Sequence, residues 1–319
     1  MRVLITGGAG FIGSHLAERL LAEGEDVSII DDLSTGCREN FEPLIHHKRF
    51  QWVIDTIMNR QVLEALIRDC DMVFHLAAAV GVQYVIQNPL KALQINIDGT
   101  RQVLELANRY RCRVLVTSTS EVYGKSEAIP FREDDDVILG ATTVSRWGYA
   151  YSKAVDEFLC FAYYREKKLP MVVARLFNIT GPRQTGAYGM VVPRFVKQAL
   201  LEQDITVYGD GKQRRCFTDI SDAVEGILAL ARHPKALGDV FNLGSDFEIT
   251  IEDLARKIKK LSGSKSEIKY IPYEVAYERG FEDMARRLPD VSKISALTGY
   301  RAKVGLDEML SKVIEYHKR

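Results

Sequence analysis

Along the chain, short apolar runs alternate with longer segments whose apolar positions recur at helical spacing. Arg2–Thr6 reads as a strand, and Ser14–Glu23 carries Leu16, Leu20 and Leu21 on one helical face before Gly24 stops it. Val27–Ile30, Phe50–Ile54, Met72–Leu76, Arg113–Val116 and Met171–Phe177 read as further strands. Met58–Arg68, Pro89–Arg109 and a segment from Tyr149 to about Lys167 read as helices. Strands separated by helices predict an α/β chain built on a parallel sheet. Beyond residue 178 the alternation loosens. Val191–Leu200 and Ile251 to about Leu261 read as helices, and Ile205–Tyr208, Val240–Leu243 and Ile268–Ile271 as short strands.

The turn between the first strand and helix contains Gly7, Gly8, Gly10 and Gly13, which satisfy both G-x-G-x-x-G and G-x-x-G-x-x-G. Residues without a Cβ let the backbone approach a pyrophosphate, and the helix N-terminus offers free N–H groups to the anion. Gly7, Gly10, Phe11, Ile12 and Gly13 are therefore candidate cofactor contacts. Asp31 closes the second strand eighteen residues after Gly13, where a carboxylate grips the adenosine ribose. It would repel a 2′-phosphate, which favours NAD over NADP. Asp55 ends the third strand and is either an adenine contact or a helix cap. Leu76, Ala77 and Ala78 leave room for the cofactor. The expected fold is α/β: a Rossmann-type doubly wound parallel sheet with a smaller mixed α/β substrate-binding lobe at the C-terminus. Residues 1–178 would form the NAD-binding domain and 179–319 mainly the lobe, with about 216–245 returning to the Rossmann body.

In open parallel sheets ligands sit beyond the carboxyl ends of the strands, so Thr117-Ser-Thr-Ser-Glu at the tip of the fifth strand points at the cleft. Tyr149 and Lys153 are four residues apart and share a helical face. A nearby ammonium favours the phenolate and is expected to lower the Tyr149 pKa, making it a base near neutral pH. Tyr151, off that face, is expected to pack. Asn96 is expected to be a buried structural bracket, and Glu133–Asp136 a solvated loop.

Composition narrows the function. The 319 residues are 46% hydrophobic, enough for a large core, and 43 basic residues cancel 43 acidic ones, so no net field favours nucleic acid or an anionic membrane. The chain opens on a core strand without an apolar leader and has no membrane-length apolar run, which predicts a soluble, cytoplasmic protein. Cys37, Cys70, Cys112, Cys160 and Cys216 are scattered, as reduced core thiols would be. The six histidines show no ligand spacing, so no metal is expected.

Taken together, Gly7–Gly13, Asp31, Thr119-Ser120-Glu121, Tyr149–Lys153 and the arginine turns at 211–215 and 286–287 resemble the extended short-chain dehydrogenase/reductase family, specifically its nucleotide-sugar epimerases, dehydratases and decarboxylases. The resemblance covers essentially the whole chain. It implies that Thr119 hydrogen-bonds the sugar O4, that Tyr149 removes the O4 proton, and that Lys153 holds the nicotinamide ribose. It further implies that Asn178 touches the sugar diphosphate, that Val192, Thr206 and Tyr208 border the base and ribose, that Arg215 and Arg287 grip the pyrophosphate, and that Asp290 lies near the ribose. Ser120-Glu121 stands where family dehydratases carry Asp-Glu, and Thr-Ser-Glu with an arginine at the Arg287 position is similar to UDP-glucuronate decarboxylases. The Arg146-Trp147 pair also resembles the bacterial decarboxylases. A 4-keto uronate is a β-keto acid that loses CO₂ readily, and Glu121 is expected to repel the substrate carboxylate. The alternatives are a 4-epimerase of a UDP-hexose or UDP-uronate, and a non-catalytic NAD-binding regulator. The resemblance also implies a homodimer joined through the Pro89–Arg109 and Tyr149–Lys167 helices, where apolar positions such as Leu104 and Phe158 either join the interface or face the sheet.

Overall fold

The structure, a computed structural model, describes residues 1–186, 190–276, 284 and 286–318. The first half runs β1 (Arg2–Thr6), α1 (Phe11–Ala22), β2 (Asp26–Asp31), β3 (Phe50–Ile54), α2 (Arg60–Ile67), β4 (Met72–His75), α3 (Val82–Gln87), α4 (Pro89–Leu93), α5 (Gly99–Tyr110), β5 (Arg113–Thr119), α6 (Trp147–Ala162) and β6 (Met171–Leu176). The second half adds β7 (Ile179–Thr180), α7 (Val191–Leu200), β8 (Ile205–Tyr208), β9 (Arg214–Cys216), β10 (Thr218–Asp219), α8 (Ile220–Arg232), β11 (Val240–Leu243), β12 (Glu248–Thr250), α9 (Ile251–Ser262), β13 (Ile268–Ile271), α10 (Tyr273–Ala276), β14 (Arg286–Arg287), α11 (Ser292–Thr298) and α12 (Leu306–His317).

Seven strands form one parallel sheet in the order β11-β6-β5-β4-β1-β2-β3. This is a Rossmann-type doubly wound sheet. The chain reverses its direction of travel across the sheet between β1 and β4, which opens a crevice at their carboxyl ends. β4 is buried throughout and β6 nearly so, because helices cover both faces. Leu16 and Leu20 of α1 and Ile227 of α8 pack on one face with Val27, Ile29 and Phe74, while Leu104 and Cys160 pack on the other with Leu4, Val73 and Met171.

Several expected boundaries move. α1 starts at Phe11, so its first turn lies against the glycine loop. The Pro89–Arg109 helix is divided into α4, a π-helical turn at Gln94–Asp98, and α5. The wider turn accommodates Asn96, whose Oδ1 accepts from Ala79 N at 2.8 Å and whose Nδ2 donates to Ser152 Oγ at 2.9 Å. Asn96 is thus the expected buried bracket. Of the two readings for Leu104 the structure has it face the sheet, fully buried. Tyr151 is exposed rather than packed, its hydroxyl donating to Gly140 O. Glu133 is half-buried, its carboxylate accepting from Asn242 N, so the acidic run is not wholly solvated. Cys112, Cys160 and Cys216 are buried, but Cys37 is exposed.

Beneath the tip of β5, Arg175 pairs bidentately with Glu157, through Nε to Oε1 at 3.0 Å and Nη2 to Oε2 at 2.7 Å. Ser118 Oγ donates to the same carboxylate, and Arg175 also donates to the Tyr123 hydroxyl. These buried bonds fix the strand end that carries Thr119.

The lobe has its own core, with Val192 and Phe195 of α7 packed on Leu254 and Ile258 of α9 and Leu310 of α12. In its small sheet β9 pairs antiparallel with β12 and parallel with β14, so Arg215 and Arg287 lie side by side. Among the described residues no helix is long and apolar enough to cross a membrane.

Candidate active site

A cavity of about 490 Å³ opens at the switch point, between the glycine loop, the tips of β4, β5 and β6, and the lobe. Gly7 sits at φ +74°, and a Cβ there would come within 2.8 Å of Ala77 N. A Cβ on Gly13 would strike the Gly7 carbonyl, so glycine is needed where helix, loop and strand tip converge. Asp31 is held at the loop's edge, Oδ2 accepting from Ala9 N at 3.0 Å and Oδ1 from Leu33 N at 2.8 Å. Burial raises its carboxyl above the ordinary value against these bonds. Asp55 lines the cavity and steadies Asn59 through Oδ2 at 2.7 Å. Asn59, and not Asp55, caps α2. Phe11, Ile12, Leu76, Ala77 and Ala78 complete this wall. A tight glycine turn, a helix N-terminus and a carboxylate beside it suit a dinucleotide's diphosphate and ribose.

The facing wall carries Thr119, Ser120, Glu121, Tyr149 and Lys153. The buried face of α6 presents Lys153, Asp156 and Glu157 inward. Lys153 Nζ donates to Asp156 Oδ2 at 2.8 Å, with both side chains almost wholly buried. Burial opposes the ammonium, but Asp156 prevails and Lys153 stays charged, above its usual range. Burial is also the largest influence on Tyr149. It raises the phenol, while the Lys153 charge and a hydrogen bond with Thr119 pull it back only partly. The expected lowering of the Tyr149 pKa therefore does not hold, because desolvation outweighs a cation already shared with Asp156. His75, hydrogen-bonded to the Thr6 and Thr100 hydroxyls, is pushed down to about 3 by burial and is neutral. The cation that Tyr149 feels is Lys153.

Glu121 departs further from expectation. Its carboxylate lies between two guanidiniums, accepting from Arg146 Nη1 at 3.0 Å through Oε2 and from Arg287 Nη1 through Oε1. Burial would raise this carboxyl, yet the two arginines hold it below the ordinary carboxylate range. The two guanidiniums offset this carboxylate, so it does not repel a substrate carboxylate as a lone Glu121 would. Arg287 lines the cavity with Thr119 and Glu121 and also lies beside Arg215.

On the lobe side Val192, Tyr208 and Arg215 line the cavity, as does Asn178, whose Nδ2 donates to Cys216 O at 2.9 Å. Thr206 does not line it. Its hydroxyl accepts from Arg194 at 2.7 Å and Gln198 at 2.9 Å, behind the surface. Asp290 also lies outside the lining, its Oδ1 accepting from Ser292 N at the start of α11. Sequence reasoning missed Arg194, whose guanidinium stacks 3.9 Å from the Tyr208 ring centroid and reaches the cavity. The available signal was Arg194 and Gln198, polar and four apart on α7.

A doubly wound sheet with a glycine cradle, an acidic residue at the end of β2 and a Thr-Tyr-Lys wall defines an extended short-chain dehydrogenase/reductase of the nucleotide-sugar epimerase and dehydratase group. The chain belongs to the family whose model is described as GDP-mannose 4,6 dehydratase, matched over residues 4–313. It is 42% identical over 318 residues to the UDP-N-acetyl-alpha-D-glucosaminuronate decarboxylase of Bacillus cytotoxicus, covering 99% of this chain and 98% of that protein. It is 37% identical over 328 residues to UDP-glucuronic acid decarboxylase 1 of Danio rerio, covering 100% of this chain and 73% of that protein. The solved UDP-glucuronic acid 4-epimerase from Bacillus cereus, in complex with UDP-glucuronic acid and NAD, superposes with a TM-score of 0.89 at 32% identity, covering 100% of this chain and 99% of that one.

Proposed function

We propose that this protein is an NAD-dependent nucleotide-sugar enzyme that decarboxylates a UDP-hexuronate. The observation carrying this reading is one cleft in which Thr119, Tyr149 and Lys153 adjoin Glu121 held between Arg146 and Arg287. The decarboxylase relatives at 42% and 37% identity support it. Gly7, Gly10, Phe11, Ile12, Gly13, Asp31, Leu76, Ala77, Ala78 and Lys153 would hold NAD, which when bound accepts and later returns the C4 hydrogen as hydride. Tyr149 takes the O4 proton while Thr119 holds that oxygen. The resulting ketone makes the C6 acid a β-keto acid, so the C5–C6 bond breaks to release CO₂ and its electron pair enters the C4 enolate. Tyr149, now protonated, and Thr119 donate to the enolate oxygen. A proton adds at C5, and Tyr149 returns its own to O4 as C4 is reduced. The net reaction consumes no redox equivalent and gives a UDP-pentose and CO₂.

The alternative is 4-epimerisation of a UDP-hexose or UDP-uronate, which the Bacillus cereus neighbour favours. Product mass separates the readings. Purified protein supplied with NAD and either UDP-glucuronate or its N-acetylated counterpart should yield product lighter by CO₂, and an unchanged mass would replace decarboxylation with epimerisation. NADP serving as well as NAD would remove the ribose role of Asp31.

The same reading includes a homodimer. Leu90 and Leu93 of α4 and Val155 and Phe158 of α6 are exposed on two helices that pack together, with Phe158 75% exposed. Such an apolar patch fits a second copy of the same face. Light scattering should give twice the chain mass at micromolar concentration and the monomer mass for Phe158→Asp. A monomeric wild type would reject the dimer.

A further inference from the structure

One buried line of hydrogen bonds joins the ends of β1 and β4 to α5 and α6 beneath the cleft. Thr6 Oγ1 accepts from Ala77 N at 3.2 Å and lies 2.8 Å from His75 Nδ1. His75 Nε2 lies 3.0 Å from the Thr100 hydroxyl, and Thr100 hydrogen-bonds the Asp156 carboxylate. Asp156 Oδ2 accepts from Lys153 Nζ at 2.8 Å. Thr6, His75, Thr100, Asp156 and Lys153 are all 2% exposed or less. The Asp156 anion sets the direction of the line. A carboxylate only accepts, so Thr100 directs its single hydroxyl proton to Asp156 and accepts from His75. His75 is neutral, so it carries its proton on Nε2 and accepts from the Thr6 hydroxyl at Nδ1. One arrangement of protons thus runs from the cavity wall at Ala77 to the ammonium of Lys153.

We propose that Asp156 is a positioning residue for the reaction: oriented by the Thr6–His75–Thr100 line, it keeps Lys153 charged beside Tyr149 and so sets the pH range in which Tyr149 acts as base. This deepens the reading above and rests only on Tyr149 as the base of C4 oxidation, a step that decarboxylation and epimerisation share. An ammonium enclosed without an anion tends to give up its proton. Asp156 is the largest influence opposing that loss at Lys153. The other groups facing these three side chains leave the balance in place. Glu121, which faces Tyr149, is held by Arg146 and Arg287, and Glu157, which faces Asp156, is paired with Arg175. Cys160 and His75, which face Lys153, are uncharged, the thiol raised and the imidazole lowered by burial. Lys153 acts on the phenol more strongly than Asp156 does, and with the opposite sign. Neutralising Asp156 and thereby discharging Lys153 should therefore raise the phenol further.

The test follows the Tyr149 phenolate directly and turnover separately. Ultraviolet titration of the full chain, taken as the difference from Tyr149→Phe, gives the phenolate midpoint without any reaction. Asp156→Asn keeps the shape and removes the charge. It should raise that midpoint by about one pH unit or more and move the rising limb of kcat/KM to higher pH with it. Turnover at neutral pH should fall about 10-fold and recover at alkaline pH, while the Kd for UDP stays nearly unchanged. Asp156→Glu should restore part of the wild-type profile. Thr100→Val cuts the line without removing a charge. It should raise the midpoint by less and release His75 from the Nε2–H tautomer, read from its imidazole nitrogen shifts by NMR and assigned against His75→Gln. An Asp156→Asn midpoint that stays in place or falls would overturn the proposal. So would a loss of turnover equal at every pH, the mark of a purely structural role. If Tyr149→Phe keeps normal turnover while Asp156→Asn still shifts the phenolate, the base assignment fails and the coupling of Asp156 to Tyr149 through Lys153 stands. Should Asp156→Asn fail to fold, Thr100→Val decides, and an unmoved midpoint rejects the inference.

Discussion

Tyr149→Phe is expected to lower turnover by about two to four orders of magnitude while sparing sugar-nucleotide binding. The ring packs against Ala79, Val85 and Ala92, and Phe preserves that contact. What disappears is the hydroxyl that accepts the O4 proton, donates to the enolate and hydrogen-bonds with Thr119. Loss of a single transition-state contact with the ground state intact should appear in kcat and leave the Kd for UDP nearly unchanged. Burial keeps the wild-type phenol above its ordinary value, so kcat/KM should climb with pH as the phenol ionises. The variant should lack that limb. The decisive readings are CO₂ release across a pH series and calorimetric binding of UDP. Near-normal turnover in the variant would place the base elsewhere in the cleft.

The second large effect is expected at Glu121. Glu121→Gln keeps the shape of the side chain and takes the anion from between Arg146 and Arg287, making the site one unit more positive. A carboxylated substrate should then bind as well as before or better. CO₂ departure should slow about 100-fold or more, because the leaving carboxylate must give up its charge in a more strongly positive, desolvated site. Oxidation at C4, seen as transient NADH absorbance, should persist, since Thr119, Tyr149 and Lys153 are untouched. Rapid mixing with UDP-glucuronate, followed by NADH absorbance and trapped CO₂, separates the two steps. An unchanged rate of CO₂ release would show that Glu121 does not govern that step. If wild type interconverts C4 epimers without CO₂ and the variant keeps that activity, the enzyme is an epimerase.

Much of the body was determined by sequence alone, because its signals are local. Apolar runs became β1 to β6, the glycines fixed the turn into α1, and Asp31 at the end of β2 lies at the edge of that turn, as its spacing predicts. Tyr149 and Lys153 share a face because helical periodicity demands it. Asn96 was legible as a bracket, since a lone amide in an apolar stretch must find buried partners. What only the tertiary structure decided are the quantities that depend on distant residues meeting. The β9–β14 pairing brings Arg287 beside Arg215 and onto Glu121, 166 positions away in the chain, turning an expected repulsive carboxylate into a neutralised one. Tyr149 lies above its ordinary pKa, and not below it, because desolvation is set by everything packed around the phenol and no spacing rule encodes it. Leu104 and Phe158 show the same division: both are apolar on amphipathic helices, yet the stacking of layers buries one against the sheet and leaves the other in solvent.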